Sequence, residues 1–204
     1  MLKNICLAWL PVAITALSLV VALFFSIYWI LSVVIIIGLC LWLLVFPNAP
    51  YLITELNFSH RKEEEPVPLY YDIIQTLALT LSGILVAQLS LVFVHALLIL
   101  LLTPGYSTTG KLIIPDSSWL LMIICILLAS FAVYIGRNVR LNSWDVIHPI
   151  QLFRRLFEQL RKEPRTALGY VALYSTFMLL FHGILFGGFI HLLLDGQTNL
   201  AYMS

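Results

Sequence analysis

The sequence predicts an all-α membrane protein. Five transmembrane helices are expected, with the N-terminus in the cytosol, the C-terminus outside, and a cytosolic amphipathic surface helix. Three observations carry this. Apolar residues make up 61% of the 204 positions and charged residues only 10%, against about 25% charged in a soluble globular chain; the mean hydropathy is +1.00. Uncharged runs long enough to cross a bilayer recur along the chain, and the basic residues collect between alternate runs. A fold in water could not hide this much apolar surface, which excludes a soluble enzyme, a disordered tail and a nucleic-acid-binding module. The net charge of +1 likewise implies no nucleic-acid partner.

The elements follow in order. Lys3 precedes an apolar run far longer than a signal-peptide core, which reads as a retained anchor. Residues 5–46 carry no charge and as one helix would extend about 63 Å, roughly twice a bilayer core. They therefore divide near Phe25–Tyr28 into spans at about 5–25 and 28–46. A third span is expected at 71–99, a fourth at 118–136 and a fifth at 167–192, all within a single polytopic domain covering 1–204. Pro115 closes the loop before the fourth span, where Asp116 or Ser117 caps the helix. The long run 70–103 is read as one helix, its excess length projecting beyond the outer face before Pro104-Gly105.

The basic residues decide that parity. With five spans, Lys3, Arg61, Lys62, Arg137, Arg140, Arg154, Arg155, Arg161, Lys162 and Arg165 share one side, and Lys111 alone faces the other. Basic residues in short loops mark the cytoplasm. Splitting 70–103 would set the larger basic cluster opposite Arg61 and Lys62. The expected location is the cell (plasma) membrane.

Residues 149–163 are too charged to span. Ile150, Phe153, Phe157 and Leu160 recur at three- and four-residue steps, while Arg154, Arg155, Arg161 and Lys162 occupy other faces. Such a helix suits the head-group plane of an anionic leaflet. Pro149 fits its first turn, and Glu163-Pro164 ends it.

Polar residues gather at the cytosolic ends of the spans. Pro47 and Pro50 force the chain out of the second helix around Asn48, and Tyr51 to Leu56 restarts an apolar pattern containing Glu55. Asp72 stands at the head of the third span, where the helix dipole favours a carboxylate. The fourth span ends in Arg137 and Arg140, one turn apart and so on one face, followed by Asn142, Ser143, Trp144 and Asp145. Trp144 fits an interfacial anchor. Arg137 is expected to pair with Asp72, which lies at the same depth.

These residues carry a resemblance. Pro47-Asn48-Ala49-Pro50-Tyr51 with Glu55, then Tyr71-Asp72, then Gly136-Arg137 through Arg140 to Asn142-Ser143-Trp144-Asp145, resemble the signature of a bacterial integral membrane family, the domain of unknown function 1361. The resemblance runs from about residue 4 to 194. The chain departs from the family pattern at Glu55, usually Asp, and at Tyr70, usually Trp. Phe58 stands where a His is common, which argues against a metal-centred site. The resemblance implies topology and motif positions, with no activity attached.

The candidate cytosolic polar site is thus Asn48, Tyr51, Glu55, Asp72, Arg137, Arg140, Asn142, Trp144 and Asp145. Arg suits phosphate or carboxylate. The leading expectation is a non-enzymatic protein that binds a protein partner or anionic lipid there, with the side chains partnering one another as a lattice at the helix ends. The alternative is an enzyme or carrier acting on a phosphate-bearing lipid or small metabolite at the same site. No P-loop, HExxH or G-x-S-x-G is present, so no residue is assigned as catalytic. No cofactor or metal is expected. Cys6, Cys40 and Cys125 are scattered without CxxC spacing. His182, near mid-depth of the fifth span, and His95 and His191, towards the outer side, read as packed, hydrogen-bonded residues, with a metal or proton role as the other reading. Gly183 and Gly187 form a GxxxG that permits close helix approach; packing within the chain is expected there, with a homodimer seam as the other reading.

Overall fold

The computed structural model describes residues 2–24, 28–51, 69–103, 114–138, 157–158 and 160–203. Six helices are described in detail: α1 (Leu2–Phe24), α2 (Tyr28–Val45), α3 (Asn48–Tyr51), α4 (Leu69–Leu102), α5 (Asp116–Asn138) and α6 (Pro164–Met203). No strand occurs among the described residues. Ile5–Ala22, Ile73–Leu102, Asp116–Gly136 and Pro164–Gly188 are long and apolar enough to cross a membrane, and Trp29–Val45 is a shorter apolar helix. The chain is a multi-pass helical membrane protein.

The break expected near Phe25–Tyr28 falls between α1 and α2. Their packing turns on Gly38, where a Cβ would overlap the Ser18 side chain. Only a residue without a side chain lets the two backbones come this close. Ser18 is held by donating its hydroxyl to the Ile14 carbonyl at 2.8 Å. Pro11 removes one backbone donor from α1, and one turn on Thr15 donates to the Pro11 carbonyl at 2.9 Å.

α4 is the central helix and packs against each of the other five. Its C-terminal half supplies the contact face, with Val86, Ala87, Leu91, Val94, Leu97 and Leu98 buried. Trp42 of α2 reaches it: the indole Nε1 donates to Ser90 Oγ at 3.2 Å, and Trp42, Phe46, Val86, Leu91 and Val94 join one apolar core with Met122 of α5 and Met178 of α6.

α4 is one unbroken helix, as expected of the run 70–103. Tyr70, Tyr71, Ile73, Ile74, Leu77 and Leu81 in its N-terminal part are exposed. Its C-terminal turns are covered because Leu97, Leu100 and Leu101 pack with Ala22, Leu31 and Ile35 of α1 and α2.

α6 starts at Pro164 and extends to Met203, longer at both ends than the span expected at 167–192. Pro164 fits the first helical position, where no intrahelical donor is needed. The Glu163 carbonyl accepts the Ala167 N–H at 3.1 Å, which starts the helix at the expected Glu163-Pro164 break. Of the expected surface helix, residues 157–158 and 160–162 are helical, with Phe157, Glu158, Arg161 and Lys162 exposed; Arg154 and Arg155 lie outside the described residues. The GxxxG does not pack within the chain: a Cβ at Gly183 or Gly187 would meet nothing within 4 Å. The buried face of α6 lies along Ala167, Ser175, Met178, His182 and Phe186 instead.

Candidate functional site

One face of α4 meets one face each of α5 and α6, and polar side chains line that seam. Gln88 and His95 are seven residues apart on α4, which places them on the same face two turns apart. Ser175 and His182 repeat the spacing on α6. All four are buried. Gln88 contacts Met178 of α6 and His95 contacts His182, so the chain positions rise together and the helices run parallel. α5 runs antiparallel to both: Ser118 meets His95 and Tyr134 meets Tyr170.

The imidazoles form the centre of the site. His95 Nδ1 lies 3.0 Å from His182 Nε2, and His95 Nε2 lies 3.2 Å from Ser118 Oγ. Ser118 sits in the first turn of α5, its N–H donated to the Pro115 carbonyl at 2.8 Å. Phe186 stacks on His95 with ring centroids 3.9 Å apart and planes at 17°, and lies parallel to His182 as well, at 5.2 Å and 15°. Trp119 closes the other side edge-on to His95 at 4.7 Å and 84°. Burial among aromatic rings lowers the local dielectric and strengthens the hydrogen bonds within the pair.

About two turns along α4, Gln88 Nε2 donates to the Met178 carbonyl at 3.2 Å and lies 3.2 Å from Met178 Sδ. The Met178 carbonyl is also the acceptor one helical turn before His182, so Gln88 and His182 converge on the same turn of α6. Further along, Tyr170 and Tyr174 stack at 5.9 Å and 5°. They border an apolar groove of about 370 Å³ between α4 and α6, lined also by Gly83, Ile84, Phe177 and Met178.

Five buried side-chain atoms on this seam lack a hydrogen-bond partner: Gln88 Oε1, Tyr134 Oη, Tyr174 Oη, Ser175 Oγ and His182 Nδ1. They are all the unpartnered buried side-chain nitrogens and oxygens among the described residues. Such groups carry a desolvation penalty, so native structures pair nearly all of them. Their confinement to one three-helix seam marks it as the chemically distinctive part of the bundle. No group of three or more His, Cys, Asp or Glu side chains suited to a metal occurs among the described residues.

The cytosolic candidates lie elsewhere. Asn48 is half-buried in α3, and Arg161 and Lys162 are exposed ahead of α6. Tyr51 ends α3, Asp72 belongs to the first turn of α4, and Arg137 to the last turn of α5. Because α4 and α5 are antiparallel, the turns of Asp72 and Arg137 stand at the same end of the bundle; their side chains lie outside the described set, as does that of Tyr51. Glu55, Arg140, Asn142, Trp144 and Asp145 lie outside the described residues altogether.

The structure agrees with the reading of His95 and His182 as packed, hydrogen-bonded residues, and adds that they are partners of one another. Sequence fixes depth along each helix but not which faces meet. The signal available was the matched seven-residue spacing, Gln88 to His95 and Ser175 to His182, which gives two apolar helices one polar stripe each.

Comparison with known proteins supplies the family. The model of the family described as "Protein of unknown function (DUF1361)" matches residues 3–181, which covers α2 to α5 with His95 and the first part of α6, and stops one residue before His182. The chain belongs to this family. The seam residues Gln88, His95, Ser118, Tyr134, Tyr170, Tyr174, Ser175 and Met178, and the polar motif positions from Asn48 to Arg165, fall within the matched part of this DUF1361 chain, while His182 and Phe186 lie just beyond it. No curated protein and no solved structure matches it.

Proposed function

We propose that this chain is a five-span, single-domain protein of the plasma membrane, N-terminus in the cytosol and C-terminus outside, that acts without catalysis by holding an anionic lipid head group or a protein partner at its cytosolic end. The observation that supports this most is the exposure of Arg161 and Lys162 directly ahead of the apolar helix α6 and of Arg165 in its first turn. Each basic residue near an anionic leaflet contributes on the order of 1 kcal/mol. Trp29–Val45 supports the fifth crossing, since 17 residues rise about 26 Å, close to the roughly 30 Å hydrocarbon core. An odd number of crossings then collects ten of eleven basic residues on one side, as the positive-inside bias requires.

The test is lipid retention. Native mass spectrometry of protein extracted from mixed phosphatidylglycerol and phosphatidylcholine vesicles should show phosphatidylglycerol bound preferentially. The triple variant R161E/K162E/R165E should lose that preference. Equal retention of both lipids by the unaltered chain would contradict the lipid reading, and capture of a stoichiometric protein partner instead would favour the second half of the proposal.

A further inference from the structure

The unpartnered atoms of the seam have a consequence for proton movement. The contacts His182 Nε2···His95 Nδ1 and His95 Nε2···Ser118 Oγ admit two hydrogen arrangements. In the first, His182 Nε2–H donates to His95 Nδ1, and His95 Nε2–H donates to Ser118 Oγ. In the second, Ser118 O–H donates to His95 Nε2, and His95 Nδ1–H donates to His182 Nε2. Both satisfy every contact within the chain, and both leave His182 Nδ1 without a partner, once as an acceptor and once as a donor.

We propose that the α4–α5–α6 seam is a hydrated proton relay, entered at His182 Nδ1 and left through Ser118, or the reverse. One passage balances as follows. A proton from water binds the His182 Nδ1 lone pair. The Nε2 proton of His182 moves to His95 Nδ1, the Nε2 proton of His95 moves to Ser118 Oγ, and the original Ser118 hydroxyl proton leaves to water. One proton enters, one leaves, and the first arrangement has become the second. Rotation of the rings and hydroxyl restores the first. Water at the other unpartnered atoms, Gln88 Oε1, Ser175 Oγ, Tyr174 Oη and Tyr134 Oη, carries the path onward. Ser118 and Tyr134 are sixteen residues apart on α5, about 24 Å along the helix, most of a roughly 30 Å hydrocarbon core.

The chemistry around the seam fits protons rather than other ions. Residues 5–46, 73–102, 117–136 and 166–188 contain no Asp, Glu, Lys or Arg. The titratable groups on the seam helices within those limits are His95, His182, Cys125, Tyr134, Tyr170 and Tyr174; α1 and α2 add Cys6, Cys40 and Tyr28. Imidazole chains within membranes are a recurring form of proton relay, and no carboxylate cage for a metal cation is available among these segments.

The experiment uses the full chain in liposomes loaded with a pH-sensitive dye. A potassium gradient with valinomycin imposes a voltage. Acidification or alkalinisation on valinomycin addition should exceed that of protein-free vesicles. His182→Gln retains a donor and an acceptor near the ring position but cannot pass a proton between two nitrogens, so its flux should fall to the protein-free level. Ser118→Ala should also reduce flux. Chromatographic profile and thermal unfolding of each variant, compared with the unaltered chain, separate loss of relay from loss of fold. If His182→Gln does not fold, Ser118→Ala and Gln88→Leu carry the test. Flux by the unaltered chain equal to that of empty vesicles would overturn the proposal, as would full flux in folded His182→Gln.

Discussion

The two halves of the bundle share α4 but solve its burial differently. On the α1–α2 side, contact is apolar and close: Gly38 lets the backbones approach, and the buried polar atoms of Thr15 and Trp42 are paired. On the α5–α6 side, His95, His182, Ser118, Gln88 and Ser175 are buried together, and five of the seam's polar atoms remain unpartnered. In lipid, helix association relies on packing and interhelical hydrogen bonds, because the tails are as apolar as the side chains. One half uses the first means and the other uses the second incompletely. Stability and function are therefore expected to reside in different halves of one small bundle.

The largest effect should come from the close-packed half. Trp42 is buried at 1% exposure and joins the core to Ser90. Trp42→Ala should destabilise by about 3–5 kcal/mol, the usual range for losing a large buried aromatic side chain, read from reversible unfolding in mixed micelles. A loss no greater than that for a lipid-facing Leu173→Ala would break the contrast between the halves.

Gly38 tests the same half by adding atoms. Gly38→Val should cost about 1–3 kcal/mol by forcing α1 and α2 apart, and Gly38→Val with Ser18→Ala should recover part of it. Failure of the double variant to recover any stability would locate the strain away from Ser18.

The imidazole pair should matter less to stability. A double-mutant cycle of His95→Leu and His182→Leu is expected to show coupling of about 0.6 kcal/mol, and no more than roughly 1.7, as interhelical hydrogen bonds in membranes do. Coupling far above that range would make the pair a structural clamp. Zero coupling would mean the rings do not meet.

Most of the helix plan was legible in sequence for physical reasons. Bilayer thickness set the division of 5–46, and Glu163-Pro164 marked the break ahead of α6, although the span itself was expected from 167. Which part of α4 is covered by its neighbours was not legible, because the overlap of a helix with its neighbours depends on packing and not on its own hydropathy. The candidate polar residues illustrate the same limit. Loop parity assigns Asp72 and Arg137 to one end of the bundle, and the antiparallel run of α4 and α5 puts their helical turns at the same end without deciding whether they pair. The imidazole pair was missed because eighty-seven positions separate its members and no span alone shows which face is buried. The GxxxG of Gly183 and Gly187 misled through local pattern: the motif permits close approach but does not choose the partner.

The smallest effect is expected at that motif. Gly183→Ala should change the stability of the monomer by no more than about 0.5 kcal/mol, the usual limit for a site with no packing partner. A larger loss that depends on protein concentration would instead reveal a second copy of the chain against α6.

Hydration of the two halves tests the central contrast most directly. Solid-state NMR of the protein in bilayers can measure how fast magnetisation passes from water to individual side chains. The account predicts rapid transfer to His182 Nδ1, Gln88 and Tyr134, and little transfer to the Trp42 indole N–H, which is paired with Ser90 in the apolar half. Transfer to Trp42 as fast as to His182, or none to either, would contradict a dry structural half joined to a wet functional one.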